Sequence, residues 1–228
     1  MYTANAGKLD DLHARFRDHT LKFFEKHGIA NIGYWTPIEN PDEKLYYLIA
    51  HKDAAARDAS FKAPGADPGW QEAVKASHKN GVLAKKMESI LLDATDYSPE
   101  IKAATGAGER VFELRTYTTE NADKLAHLNA RFRDHTVALF AKHGMTNLWY
   151  TTVDDKQKDD AAIAGRQLVY MLTHTSTDDA KKSFAAFRDD PAWVAARKAS
   201  EEKAGGSLTI KDGVKSLMLK ATDYSPTK

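Results

Sequence analysis

The sequence contains no cysteine, which removes disulfide bonds, thiolate nucleophiles and cysteine-ligated metals from consideration. It has no apolar run near the roughly 20 residues that a membrane-spanning helix needs. No glycine-rich phosphate loop, nucleophile elbow or zinc-protease motif is present. These absences leave the chain without a recognised catalytic signature.

The chain also has almost no net charge, with 33 Lys and Arg against 32 Asp and Glu. Proteins that bind nucleic acid or anionic membranes usually carry a clear basic excess. We therefore expect a soluble protein with no nucleic-acid partner and no membrane span. The sequence assigns no cellular compartment.

An internal repeat organises the 228 residues. The segment Ala-Arg-Phe-Arg-Asp-His-Thr at 14–20 returns at 130–136, and eleven of fifteen positions from 14 to 28 match at a constant offset of 116. A second segment, Ala-Thr-Asp-Tyr-Ser-Pro, occurs at both 94–99 and 221–226. We predict two domains of common size, residues 1–100 and 109–228, joined by a small polar linker.

Each half shows the element order βαββαβ. In the first half we predict strands at 2–3, 29–36, 45–51 and 87–94, with helices at 6–27, 53–61 and 70–78, Asn5 being the N-cap of the first helix. In the second half we predict strands at 111–118, 146–152, 168–174 and 214–220, with helices at 124–143, 178–187 and 192–203. The charged loop 154–166 is expected to be exposed and mobile.

This order predicts an α+β fold in which each half is a ferredoxin-like domain with both helices on one face of an antiparallel sheet. The other face of each sheet carries no helix and is expected to be apolar, so it must pack against another surface. We expect the two domains to pack sheet-to-sheet as an intramolecular dimeric α/β barrel. Symmetry would also allow a homo-oligomer.

Several motifs resemble the signature of the NIPSNAP family, within the dimeric α/β-barrel superfamily. They are Glu-Leu-Arg-Thr-Tyr at 113–117, Arg131-Phe132, His135-Thr136, Leu139-Phe140 and Lys-His-Gly-Met at 142–145. Both halves carry the pattern, so the resemblance covers nearly the whole chain. The superfamily includes cofactor-independent monooxygenases, haem-binding chlorite dismutases and stress-response barrel proteins. NIPSNAP proteins themselves are associated with mitochondria and vesicle traffic in animals and have no settled chemistry.

The first half departs from the family pattern in two places. No Glu-Leu-Arg precedes Tyr2, and Gly33-Tyr34-Trp35 stands where the second half has Trp149-Tyr150-Thr151. Our hypothesis for the first departure is that the natural chain continues upstream of Met1, with an export or targeting signal that is removed. The second departure leaves open whether the pockets of the two halves are alike.

Superfamily relatives usually bind ligands in a cleft between helix and sheet, and an imidazole there can act as acid or base. Our candidate catalytic residues are therefore His19 and His135. The candidate ligand-binding residues of the two clefts are Arg15, Arg17, Tyr34, Arg131, Arg133 and Tyr150.

A structural interpretation stands beside each candidate. The arginines would form ion pairs with neighbours such as Asp18, and the strand tyrosines would fill the core. His27 and His143 would satisfy helix C-termini, and Trp70 and Trp193 would each anchor a helix that begins after an Asp-Pro turn.

The histidines lack metal-ligand spacing, so we predict no metal and no cofactor. The leading functional hypothesis is binding of a small ligand or a protein partner in a helix–sheet cleft. The alternative is a cofactor-independent oxygenase or isomerase that uses His19 or His135 as general base. A purely structural interaction module is the third, and the sequence leaves the question of enzymatic activity open.

Overall fold

The structure, a computed structural model, describes residues 1–106, 108–157, 160 and 162–228. The chain forms two compact units. Unit 1 comprises Met1–Glu88, Lys102–Ala107 and Lys220–Lys228, and unit 2 comprises Ser89–Ile101 and Gly108–Leu219. None of the helices in the described parts of the chain is long and apolar enough to cross a membrane.

Unit 1 has one antiparallel sheet and a set of short helices. Its strands are β1 (Tyr2–Ala4), β2 (Ala30–Pro37), β3 (Lys44–Ala50) and β4 (Ala84–Met87), in the spatial order β4-β1-β3-β2. Its helices are α1 (Leu9–Arg15), α2 (Leu21–Lys26), α3 (Ala54–Ser60), α4 (Ala63–Ala66) and α5 (Pro68–Ser77). The core between sheet and helices contains Leu12, Phe16, Tyr34, Leu45 and Leu83.

Unit 2 repeats this order with longer strands. They are β5 (Leu92–Ala94), β6 (Val111–Thr118), β7 (Thr146–Val153), β8 (Gln167–His174) and β9 (Val214–Ala221), and the order within the unit is β9-β6-β8-β7-β5. The helices are α6 (Ala122–Arg131), α7 (Val137–Lys142), α8 (Thr177–Asp189) and α9 (Pro191–Lys203). Phe132, Phe140, Tyr150, Tyr170 and Phe184 lie in its core.

The first helix of each unit is interrupted by one π-helical turn, Phe16–Thr20 in unit 1 and Phe132–Thr136 in unit 2. Both turns fall inside the repeated heptapeptide. In each, the threonine hydroxyl donates to the arginine carbonyl five residues back, at 3.2 Å for Thr20 to Arg15. A π turn holds about one residue more than an α turn, so the helical phase after it differs from that of a regular helix.

Most predicted elements are confirmed to within a few residues, but two are wrong. Asn5 is not an N-cap, because α1 begins at Leu9 and the Asn5 amide donates to the Val82 carbonyl instead. The predicted strand 87–94 is two strands, since β4 pairs with β1 in unit 1 and β5 pairs with β7 in unit 2.

The segments that follow the last strand of each sequence half are exchanged. Residues 95–98 belong to unit 2, and residues 222–228 belong to unit 1. We call these segments the arms. The compact units therefore differ at their ends from the sequence domains 1–100 and 109–228, which were predicted from the repeat. Those domain boundaries stay a prediction.

The charged loop 154–166 is held near its start by Gln157. Gln157 is buried, its amide oxygen accepts from the Leu91 backbone N–H at 2.8 Å, and its amide nitrogen donates to the Ser89 carbonyl at 3.1 Å. Residues 158, 159 and 161 of this loop and residue 107 of the predicted linker lie outside the described residues. The expected mobility stays a prediction.

Candidate functional site

Arg15 is the most unusual polar residue of unit 1. It ends α1 just before the π turn and is only 9% exposed. The phenol groups of Tyr2 on β1 and Tyr47 on β3 lie near enough to interact with its charge, and Nη1 is 3.4 Å from Nε2 of His78, the C-cap of α5. Burial lowers the pKa of Arg15, and the two tyrosines oppose that shift.

The guanidinium of Arg15 lacks the partners that a buried cation normally has. Its Nε is buried without a hydrogen-bond partner in the described structure, and no described carboxylate lies within ion-pair distance. Transferring an unpaired ion from water into a protein interior costs several kcal/mol. The site therefore has a net positive potential that a small anion would neutralise.

Arg131 occupies the matching position at the end of α6, but more neighbouring groups offset its buried charge. Its guanidinium carbon lies 5.0 Å from the ring centre of Trp193, and Nη1 is 3.4 Å from the Ser200 hydroxyl and 3.9 Å from the Glu201 carboxylate. Its Nε is also buried without a hydrogen-bond partner among the described residues. Burial lowers the pKa of Arg131, while Tyr117 and Glu201 raise it.

Unit 2 adds a buried charge network on the helix-facing side of its sheet. Glu113 accepts from Arg115 and from Ser216, each at 2.5 Å, and its other oxygen lies 2.9 Å from Nε2 of His174. Arg115 Nε donates to the Tyr170 hydroxyl at 2.9 Å. Burial alone would raise the pKa of Glu113, but the hydrogen bond from His174 and the charge of Arg115 outweigh it and hold that pKa low.

Sequence reasoning missed this network, although the signal was present. Glu113, Arg115 and Tyr117 alternate along β6, so their side chains share one face of the sheet. That face is covered by helices, as the contact of Arg115 with the Phe184 ring at 4.4 Å shows. Polar side chains with this spacing on a face that helices cover are buried, so they need hydrogen bonds and ion pairs with one another.

The predicted catalytic histidines lie elsewhere. His19 and His135 are both exposed, within the π turns. His19 borders a shallow depression of about 180 Å³ whose lining includes Phe23 and Trp70. No described contact joins His19 to Arg15, so a catalytic role for either histidine stays a prediction.

The other four predicted ligand-binding residues have partners of their own. Arg17 and Arg133 are exposed and make two-pronged ion pairs with Asp223 and Asp96 of the arms, with N–O distances of 2.7 to 2.9 Å. The arginine partner proposed from sequence, Asp18, is not the one found for Arg17.

Tyr34 and Tyr150 are fully buried, and their hydroxyls donate to Asn31 and Asn147. Burial raises the pKa of Tyr34 and of Tyr150. Of the eight predicted residues, the structure thus places only Arg15 and Arg131 at unsatisfied buried positions between helix and sheet.

The aspartates before α5 and α9 are structural nodes. Asp67 accepts from the Trp70 backbone N–H and from Lys26, and its Oδ2 lies 3.0 Å from Nε2 of His27. In unit 2, Asp190 accepts from Lys142 and from the Ala192 backbone N–H, and its Oδ2 lies 2.8 Å from Nε2 of His143. Hydrogen bonds from these lysines and histidines lower the pKa of each aspartate. The Asp-Pro turns open helices, as predicted. The described partner of His27 and of His143 is the aspartate before another helix, and not the last carbonyls of the histidine's own helix as expected from the sequence.

Comparisons with known proteins give one family match and several structural likenesses. Residues 1–99 match the family model named NIPSNAP. No curated protein matches the chain significantly. Among solved structures, a "NIPSNAP-like domain protein" from Burkholderia xenovorans is 14% identical, with a TM-score of 0.42 over 52% of this chain and 90% of its own.

Two further structures resemble the whole chain. A "putative monooxygenase" from Lactobacillus acidophilus is 14% identical over 96% of this chain and 90% of its own, with a TM-score of 0.56. One of the same description from Fusobacterium nucleatum is 12% identical over 96% and 88%, with a TM-score of 0.54. At this identity the likeness concerns the fold alone, and the predicted α+β fold class is confirmed.

Proposed function

Residues 1–99 match the NIPSNAP family model, and from this premise we propose that the protein binds a small organic carboxylate at Arg15. Arg131 would offer a weaker counterpart in unit 2. This narrows the broader expectation of a ligand or partner in the helix–sheet cleft to one chemistry and one anchoring residue.

The observation that carries the proposal is the unpaired cation. Proteins rarely bury an arginine without a counter-ion, because the desolvation of the charge is not repaid. Around Arg15 the described residues supply phenol and imidazole groups and no carboxylate. A ligand carboxylate would supply the missing charge and an acceptor for the free Nε.

The donor geometry favours a carboxylate. An arginine side edge offers two parallel N–H groups that match the two oxygens of a carboxylate. Tyr2 and Tyr47 add hydroxyls on the sheet side, and their rings stack with centroids 5.9 Å apart. Half-buried His78 marks the side of the site that faces the surface. These rings favour an aromatic or otherwise planar acid.

A second candidate is a cofactor-independent oxygenase or isomerase. The fold likeness to two structures described as putative monooxygenases supports it. Cationic and hydroxyl donors at a buried site would stabilise an enolate as well as a carboxylate. In this version His19 or His135 is the general base, as the sequence hypothesis has it, and activity would fall when both are replaced by Gln.

The test uses benzoate as probe, with binding followed by isothermal titration calorimetry and stability by urea unfolding. We expect the wild type to bind benzoate and the Arg15→Met variant to lose that binding. Without ligand, Arg15→Met should be more stable than the wild type by about 1–3 kcal/mol, because an unpaired buried charge has been removed. An arginine that merely supports the fold would give the opposite sign.

Arg131→Met is the matched control. It should leave the tighter benzoate site intact and gain less stability, since Trp193 and Glu201 partly compensate that charge. The proposal fails if equal ionic strengths of sodium benzoate and sodium chloride stabilise the wild type equally. It also fails if Arg15→Met binds benzoate as the wild type does.

A further inference from the structure

Each arm is held by its unit through the same contacts. The arm threonine N–H donates to the carbonyl of a core tyrosine at 3.0 Å, from Thr222 to Tyr34 in unit 1 and from Thr95 to Tyr150 in unit 2. The same tyrosine N–H donates to the arm serine hydroxyl, Ser225 or Ser98, at 2.9 Å. Within each arm the serine N–H donates to the threonine carbonyl, from Ser225 to Thr222 at 3.1 Å and from Ser98 to Thr95 at 3.2 Å. The arm is therefore a β-turn that is held against the backbone of the core tyrosine.

The arm side chains extend the correspondence. Arg17 forms its two-pronged pair with Asp223 and lies 5.5 Å from the Tyr224 ring centre. Arg133 does the same with Asp96 and Tyr97, at 5.6 Å. Two copies of one peptide are therefore recognised by two copies of one cleft.

The partner of the tyrosine hydroxyl differs between the units. In unit 1 the Tyr224 hydroxyl lies 2.7 Å from Nδ1 of His13. In unit 2 the Tyr97 hydroxyl donates to the Asn129 side-chain oxygen at 2.7 Å. Asn129 accepts from the phenol, and a neutral His13 with Nδ1 unprotonated does the same. The tyrosine hydroxyl of either arm therefore has a partner in either cleft.

The arms also sit on the unit formed mainly by the other sequence half. If one sequence half folded alone, its cleft would lack an arm, and its own arm would lack the cleft of the other unit. Because the two arm sequences are identical from 94 to 99 and from 221 to 226, the contacts that they share tie neither arm to one particular cleft. The arm of unit 1 is held further by Thr227, whose hydroxyl donates to the Ile32 carbonyl at 2.5 Å.

From this we propose that the unit 1 cleft, formed by His13, Arg17 and Tyr34, is a recognition site for a Thr-Asp-Tyr-Ser turn. The partner it fits is a second copy of this chain, whose residues 222–225 replace the cleft's own arm. Such a reciprocal exchange closes a symmetric dimer by contacts already present within one chain.

A charge exchange tests this in the full chain. In Arg17→Asp the cleft repels its own arm, and in Asp223→Arg the arm repels its own cleft. When the two variants are co-expressed with different affinity tags, both mismatches become matched pairs only if arms cross between chains. We expect a one-to-one heterodimer by native mass spectrometry, at several times the amount formed by two differently tagged wild-type chains.

The control is the chain that carries both substitutions, in which the pair is restored within one molecule. It should form no more heterodimer than the wild type. Equal heterodimer in the mixed variants and in this control would overturn the proposal.

A second measurement avoids dependence on one exposed ion pair. A fluorescent peptide of residues 220–228 should bind the Asp223→Arg/Tyr224→Ala variant at least tenfold more tightly than the wild type, whose cleft is filled. Adding Arg17→Glu to that variant should abolish the difference. Absence of peptide binding to the variant, with its circular dichroism unchanged, would also overturn the proposal.

Discussion

Replacing Glu113 by alanine isolates the energetics of the buried network in unit 2. The carboxylate is 3% exposed and has contacts with Arg115, His174 and Ser216. Removing it leaves the Arg115 guanidinium buried with two tyrosine hydroxyls and no counter-ion. The perturbation is therefore a stranded charge rather than a lost contact.

The expected cost is large. Breaking a buried ion pair by removing one partner typically destabilises a protein by about 3–5 kcal/mol. For a chain of this size that corresponds to a decrease in Tm of about 6 to 20 °C. Calorimetry gives the Tm, and urea unfolding followed by circular dichroism gives the free energy.

The matched control replaces the whole network by apolar residues, as Glu113→Leu/Arg115→Met/His174→Leu. If stranding the charge is the cause, this variant should be close to the wild type or more stable, because no ion remains to be desolvated. A loss below about 1 kcal/mol in Glu113→Ala would refute the reasoning. So would a triple variant as unstable as the single one.

Three further outcomes follow from the structure. Folding lowers the pKa of Glu113, so the ionised carboxylate stabilises the fold at neutral pH, and this stabilisation is lost as the pH falls through the acidic range. The free energy of unfolding of Glu113→Gln, measured by urea titration, should therefore fall less between pH 7 and pH 3 than that of the wild type. Gly33→Ala should cost about 1–3 kcal/mol, because its Cβ would lie 2.3 Å from the Trp35 ring, whereas Gly65→Ala, with open space around it, should not destabilise by calorimetry. Asp190→Ala should lower the Tm and make it less sensitive to acid, since the pKa of Asp190 is held low by hydrogen bonds from Lys142 and His143.

The sequence predicted the elements well because repeat and periodicity are local signals. It could not predict which sheet a strand joins. Residues 84–94 contain β4 and β5, and both segments are extended, but their partners lie in different units. Strand pairing of this kind depends on contacts distant in sequence, and the exchange of the arms follows from it.

The candidate site could be predicted from the sequence only in part. The sequence placed Arg15 and His19 in one cleft, but a π turn begins immediately after Arg15, and His19 lies within this turn and is exposed. Arg15 precedes the interruption, and its predicted place between helix and sheet agrees with the structure.

The two units place different electrostatics on one scaffold. In unit 2, β6 contributes Glu113 and Arg115 as a pair that neutralises itself, and Arg131 has Glu201 nearby. In unit 1, no described carboxylate reaches Arg15. A ligand anion would therefore gain most in unit 1, and a shared fold would carry one binding unit and one whose charges are already balanced. Comparing Arg15→Met with Arg131→Met tests this asymmetry. If it matters for function, Arg15→Met should gain more stability and lose more benzoate binding than Arg131→Met.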